Sequence, residues 1–290
     1  MIGNMPSDSQ KRKKLRALLA GPDIVVAPGC ADAVSARLVE HLGLPAIHAS
    51  GSAFHRTRGY PDAGILDLTE MVTQLRSLCE AVEIPVIGDA DTGFGNVVNV
   101  VRTVREYERA GAAAVHIEDQ LTPKRPTYAG EFEGGFVSRK EMVDKIRAAC
   151  DARVDQEFII IARCDVPDMG ERTERLAACL EAGADVAWLA ARGADALRSL
   201  RQALAGKPCV GVLPAGLTLG QFQEIGANCA LIPGALQIAA LAGQEQLLRS
   251  ILETGSSRPY LDALPNGAEM ATFYNQQGSA EVHDIEDRFG

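Results

Sequence analysis

No run of the 290-residue sequence is apolar for the length of a membrane span, and no apolar stretch follows the basic N-terminal residues Lys11, Arg12, Lys13, Lys14 and Arg16. The chain reads as neither membrane-spanning nor signal-directed, and a cytoplasmic protein is expected. Aromatics make up 5% of the residues, with a single Trp, and no basic stripe runs among them; the net charge is −9. Nucleic acid and membrane surfaces are poor partners for such a chain, so a small anionic substrate must be gripped locally. The seven cysteines, at 30, 79, 150, 164, 179, 209 and 229, are odd in number and include no CxxC pair. That spacing argues against a disulfide framework or a structural zinc site and fits a reducing compartment.

What the sequence does contain is a repeating alternation. Short β-branched or apolar runs at 24–28, 46–50, 86–89, 113–117, 158–162, 186–190, 210–213 and 230–232 read as strands, with helical periodicity between them, as in 33–43 and 175–183. The order helix, glycine, small or apolar residue, strand recurs at Gly43, Gly111, Gly183 and Gly226. Parallel strands each followed by a helix predict the α/β class, as a single (β/α)8 TIM barrel with a core over about residues 23–254. Residues 1–22 are expected to form an N-terminal helix with Leu15, Leu18 and Leu19 inward, and 255–290 a C-terminal extension punctuated by Gly and Pro as far as Val282.

In such a barrel the active site lies where the strands end, which orders the candidates. They are Ser50-Gly51-Ser52, then Asp89 and Asp91 in Asp89-Ala90-Asp91-Thr92-Gly93-Phe94-Gly95-Asn96, then Glu118 and Asp119, then Arg163 and Asp165. Strand alternation sends Asp89 and Asp91 to one face, and paired carboxylates followed by a glycine-rich turn suit Mg²⁺, with Mn²⁺ an alternative. The competing reading makes one Asp a helix cap and the other a solvated loop residue. Ser50-Gly51-Ser52 is either a cradle of N–H groups and hydroxyls for a substrate carboxylate or an ordinary small-residue turn. Arg163, after an apolar strand, must meet an anion: a developing oxyanion, or Asp165 or Glu118 in an ion pair. His48 faces the same way as Ser50 and either touches substrate as a base or is a satisfied barrel histidine. His41, His55, His116 and His283 sit in no motif, while Trp188 and Phe94 read as packing or pocket wall.

Together these residues resemble the isocitrate lyase and phosphoenolpyruvate mutase superfamily. The resemblance runs over about residues 23–234. It includes Gly59-Tyr60-Pro61-Asp62-Ala63-Gly64, Ile117-Glu118-Asp119-Gln120, Pro123-Lys124-Arg125 and Ile161-Ala162-Arg163-Cys164-Asp165. It implies a barrel whose last helix is exchanged between subunits of a homodimer or homotetramer, binding Mg²⁺ and a 2-oxo or 2-hydroxy acid. By position it implies that Ser50, Gly51 and Ser52 hold the substrate carboxylate and that Asp62 and Asp89 contact metal-bound water or substrate. Asp91 would be the direct metal ligand, Glu118 would support the metal indirectly, and Arg163 would polarise the oxyanion.

Departures from the superfamily pattern narrow that expectation. Lyases of isocitrate and methylisocitrate carry a catalytic Cys in the loop after the fourth strand, where this chain has Lys124-Arg125-Pro126-Thr127-Tyr128. Proline has no proton to give, so Tyr128 is the expected replacement acid, ahead of Glu131 and Glu133, while Lys124 and Arg125 read as a lid over the substrate anion. Polar residues that grip distal carboxylates are replaced by Ala190, Val212 and Ala215, a loss of about 1–3 kcal/mol or more for each buried anion left without a partner. Oxaloacetate-type decarboxylation or retro-aldol cleavage of an alkylmalate is therefore expected. The alternatives are carbon–phosphorus chemistry of the phosphonopyruvate or carboxyphosphonate type, which Gln120 speaks against, and a metabolite-binding barrel without catalysis.

Overall fold

The computed structural model describes residues 7–125, 135–204 and 206–290, without the side chains of 280 and 281. Eight parallel strands, β1 (Val25–Cys30), β2 (Ile47–Ala49), β3 (Val86–Asp89), β4 (Ala114–Glu118), β5 (Ile159–Arg163), β6 (Val186–Trp188), β7 (Cys209–Val212) and β8 (Cys229–Ile232), pair in sequence order and close as β8 pairs with β1. All eight expected strands are present, and the barrel is the predicted one. The register sets the site: Asp89 lies opposite His116, and Glu118 opposite Arg163.

Helices α1 (Asp8–Ala20), α2 (Ala33–His41), α3 (Gly51–Thr57), α4 (Leu68–Ala81), α5 (Val97–Arg109), α6 (Arg139–Ala152), α7 (Met169–Glu181), α8 (Ala194–Ala203) and α9 (Leu219–Ile225) accompany them. The four recurring glycines after α2, α5, α7 and α9 all have positive φ, from 79 to 113°. There a side chain would be strained, which is why the same residue type ends each helix.

α1 closes the amino end of the barrel. Leu15 is fully buried, and with Leu19 and the partly buried Leu18 it packs on a cluster that includes Val25, Ile87, Ile159, Val210 and Leu231. Truncating a residue so placed costs about 2–5 kcal/mol. The basic residues beside it are buried too: Lys11 Nζ donates to the carbonyls of Cys79 (2.9 Å) and Val82 (2.7 Å), and Arg12 Nη2 to that of Glu108 (2.7 Å). These carbonyls lie at the ends of α4 and α5, where the last turn runs out of intrahelical donors, and that of Glu108 also accepts from Gly111 N at 3.2 Å.

Residues Pro6–Gly234 form one compact unit, and Ala235–Gly290 belong to a second. The second contains α10 (Ala235–Thr254), α11 (Arg258–Ala263), α12 (Gly267–Asn275) and α13 (Ser279–Phe289). Here the sequence misleads, because its Gly and Pro residues mark helix starts. Pro259 lies in the first turn of α11, Gly267 opens α12, and Gly278 takes a left-handed conformation just ahead of α13. α10 buries none of its twenty residues, and Ile238, Leu241, Leu248 and Leu252 are exposed along it.

Candidate active site

The candidates from β2 to β5 meet at the carboxyl end of the barrel. Asp89 is the last residue of β3, its backbone carbonyl held by the buried Tyr107 hydroxyl at 2.7 Å. Gly88 before it has no room for a side chain, since a Cβ would lie 2.8 Å from the Tyr107 ring. Asp91 follows in a left-handed turn, φ 48°, and its N–H donates to Asp89 Oδ1 at 3.0 Å. Neither acid caps a helix. Asn96 caps α5, accepting from Val98 N at 3.0 Å, so Asp89 and Asp91 are left for the mouth, both almost fully buried.

Ser50-Gly51-Ser52 begins α3, and its serine hydroxyls lie 3.2 Å apart. The expected cradle needs one correction: the Gly51 N–H donates to Asp89 Oδ2 at 3.1 Å. A Cβ on Gly51 would stand 2.8 Å from Asp89 Oδ2 and 3.2 Å from Asp91 Oδ1. Gly51 thus orients an acid and leaves it space, and of the expected cradle only the two hydroxyls are not committed to Asp89.

Arg163, the last residue of β5, adopts the ion-pair arrangement with both neighbours. Nη1 is 2.9 Å from Glu118 Oε2, Nη2 is 2.7 Å from Asp165 Oδ2, and Nε donates to Asp165 Oδ1 at 3.1 Å. The guanidinium also lies over the Trp188 ring, 4.9 Å from its centre, and Trp188 is a buried member of the core cluster, the packing role of the two expected. Asp165 is fixed in turn, its N–H donating to Asp119 Oδ1 at 2.7 Å and Gln120 Nε2 reaching its Oδ2 at 3.3 Å.

Lys124 departs from its expected role as a lid over a substrate anion. Its ammonium is buried against this chain's own acids, 2.8 Å from Asp62 Oδ1 and in an ion pair with Asp91 Oδ1. Burial works against that charge, yet Asp91, Glu118, Asp89 and Asp62 outweigh it and raise Lys124 well above the ordinary lysine range. Arg125 is exposed and uses its N–H on Gln120 Oε1 at 3.0 Å. Pro126, Thr127, Tyr128, Glu131 and Glu133 lie outside the described residues.

Two histidines passed over in the sequence matter. His116 Nε2 is 3.0 Å from His48 Nε2, its Nδ1 is 3.6 Å from Asp89 Oδ1, and its ring packs on Trp188. Burial pushes His48 down to about 4 and His116 to about 3, against the pull of Asp89, so both rings are neutral near pH 7. Strand parity was the available signal, since His116 stands two residues before Glu118 and so shares its face. His55 braces the serine turn: its Nδ1 bonds to the Gly51 carbonyl at 2.8 Å, and Nε2 accepts from Ile65 N and Leu66 N. Accepting at Nε2 fixes the proton on Nδ1.

Burial raises the cost of charge on Asp89, but His116 and His48, once protonated in acid, and the cations Lys124 and Arg163 hold its carboxyl well below the usual range. Glu118 goes the other way, pushed by burial up to about 8 against Arg163 and Lys124. The donor set fits a hard divalent cation. Among the described residues, Asp91 Oδ2 and Glu118 Oε1 are buried without a hydrogen-bond partner, and every acid here offers oxygen. His48, Asp89 and His116 also bring one donor atom each within 4.8 Å of one another, although two imidazoles suit softer metals than magnesium.

The chain matches the phosphoenolpyruvate phosphomutase family over residues 15–252. It belongs to that family. Within the isocitrate lyase and phosphoenolpyruvate mutase superfamily it is 35% identical to 2,3-dimethylmalate lyase of Eubacterium barkeri, over 95% of this chain and 97% of that one. It is 38% identical to 2-methylisocitrate lyase of Aeropyrum pernix, over 94% of this chain and 88% of the other. Phosphonopyruvate hydrolase, solved with oxalate and Mg²⁺, superposes with a TM-score of 0.86 at 30% identity, covering 96% of this chain and 99% of that one. The superfamily therefore includes enzymes named for carbon–carbon and for carbon–phosphorus chemistry. Among the described residues, no helix is long and apolar enough to cross a membrane.

Proposed function

We propose that this protein is a Mg²⁺-dependent carbon–carbon lyase that cleaves a small alkylmalate-like 2-hydroxy acid by retro-aldol reaction. The observation that carries the reading is the convergence of Asp62, Asp89, Asp91 and Glu118 with Arg163 and the Ser50/Ser52 hydroxyls at one barrel mouth. Bound at Asp91 and Asp89, with Asp62 and Glu118 in support, Mg²⁺ would supply Lewis acidity toward the 2-hydroxy acid. Ser50 and Ser52 hold one substrate carboxylate, and Arg163, locked by Glu118 and Asp165, presents a fixed positive charge to the oxygen that gains charge. His48 accepts the hydroxyl proton at Nδ1, a buried atom with no hydrogen-bond partner among the described residues, while His116 holds the other side of the ring. Tyr128 is the proposed donor to the carbon left behind. Loss of the hydroxyl proton, rupture of the bond between carbons 2 and 3 and protonation of carbon 3 give a 2-oxo acid and a simple carboxylate. Ala190, Val212 and Ala215 follow or end β6 and β7 without a charge, which suits methyl groups better than a third carboxylate. The likeness to 2,3-dimethylmalate lyase points the same way.

Oxaloacetate decarboxylation uses the same groups and is the nearer variant. Carbon–phosphorus chemistry has less support: Gln120, where the mutases carry Lys, is buried and bonded at both ends of its amide. The test is to incubate the purified protein with MgCl2 and, separately, 2,3-dimethylmalate, oxaloacetate, methylisocitrate and phosphonopyruvate, following pyruvate and phosphate. Pyruvate from dimethylmalate, abolished by EDTA, is the expected result. Phosphate from phosphonopyruvate without turnover of any carbon acid would transfer the protein to the other chemistry. Silence throughout, with no effect of Mg²⁺ on melting, would leave a binding barrel.

We further propose that the exposed apolar face of α10 is covered by a second copy of the chain, in keeping with the helix exchange that the resemblance implies. Light scattering should then give a multiple of the 30.8 kDa chain mass, and Leu248→Asp should reduce it to a single chain. A monomeric unmodified protein would end this reading.

A further inference from the structure

Lys124 stands where its charge matters most. Its ammonium touches one oxygen of Asp62 and one of Asp91, the same carboxylates assigned above to the metal and its supporting shell, and only 5% of the side chain is exposed. Buried acids of this density need a cation, and the chain supplies one of its own. The lysine reaches them from a short segment held on both sides. Thr122 Oγ1 lies 2.5 Å from Thr92 Oγ1, and Arg125 N donates to Gln120 Oε1. Gly64, at φ 62°, leaves the segment room, since a Cβ there would come within 3.2 Å of Lys124 N.

We propose that Lys124 and the divalent cation compete for the Asp62 and Asp91 carboxylates, so that Mg²⁺ binding displaces the ammonium and moves segment 122–125 off the acids. A divalent ion on Asp91 Oδ2 would share one carboxylate with the ammonium on Oδ1, and like charges so close together in a buried site repel strongly. The apparent Mg²⁺ affinity is lowered by the fraction of molecules in which Lys124 is docked. By linkage, whatever draws Lys124 away tightens the metal, and the metal frees Lys124 to meet a substrate anion. The lid role read from the sequence then becomes the second of two positions, reached after the metal arrives.

The inference rests on the magnesium reading, and calorimetry separates the two. MgCl2 is titrated without substrate into the full-length protein, into Lys124→Gln and into Arg125→Gln, which removes an exposed neighbouring charge. Lys124→Gln should bind Mg²⁺ at least ten-fold more tightly than the unmodified protein, and Arg125→Gln within two-fold of it. Equal or weaker binding by Lys124→Gln overturns the competition and leaves the magnesium site standing. No binding by any of the three overturns both. Because Lys124→Gln leaves acids unpaired and can impair folding, the unmodified protein gives a second readout. Saturating MgCl2 should accelerate tryptic cleavage after the otherwise buried Lys124, a bond read cleanly by mass spectrometry because Pro126 blocks cleavage after Arg125. Cleavage at an unchanged rate overturns the displacement.

Discussion

Asp91→Ala is expected to lower turnover about 10³-fold or more and to erase the stabilisation of the protein by Mg²⁺. Both readouts have one cause. Asp91 is buried, its Oδ2 has no hydrogen-bond partner among the described residues, and a left-handed backbone with its N–H on Asp89 holds the side chain in place. Removing a charged group that acts directly on the reacting centre typically costs about 3–4 kcal/mol of transition-state stabilisation, or 10²–10³ in rate. Loss of a metal ligand adds to that. The fold should survive, because Lys124 keeps Asp62 as a partner and no helix cap is lost. Turnover of the substrate found in the panel above, measured beside melting curves with and without MgCl2, is the check. Full activity in the variant would remove Asp91 from the metal site, and loss of the folded state would show the acid to be structural.

Gly51→Ala should be nearly as damaging to activity and mild for stability. A single methyl would stand 2.8 Å from one oxygen of Asp89 and 3.2 Å from one of Asp91, inside normal van der Waals contact. The backbone there lies outside the left-handed region, and alanine is a better helix former than glycine in α3, so conformational strain does not enter. What must move is the carboxylate pair, and Asp89 would lose its bond from Gly51 N as it moves. A displacement of about 1 Å at a positioning group costs about 10² in rate. We expect kcat/KM to fall by about that factor, with a weaker Mg²⁺ effect on melting and little change in the melting midpoint of the metal-free protein. An unfolded variant, or one with normal kinetics, would contradict the packing of Gly51 against the acids.

Much of this was legible in the sequence. The barrel followed from the alternation of apolar runs with helical periods, since buried parallel strands are written as short runs of Val, Ile and Ala and four of the helices stop at a glycine. Asp89, Asp91, Glu118 and Arg163 could be placed at the mouth because each stands at or just past the end of such a run, and strand ends define the mouth. Pairing across the mouth was not legible. Whether Arg163 meets Asp165, Glu118 or both depends on the register of β4 against β5, and a register is a long-range property. Lys124 was misjudged for a related reason: loop residues are usually solvated, and nothing local says that this one turns inward. His116 was missed for want of a motif, although parity along β4 placed it facing Asp89. The helices beyond Gly255 were missed because Gly and Pro punctuate helix starts as readily as they mark irregular chain.

The plug formed by α1 has a bearing on turnover. With Leu15 and Leu19 filling one end and the Lys11 and Arg12 side chains fastening that helix to the ends of α4 and α5, the barrel is a cup rather than a tunnel. Whatever leaves must pass through the doorway by which the next molecule enters. Departing fragments and incoming acid therefore contend for a common threshold.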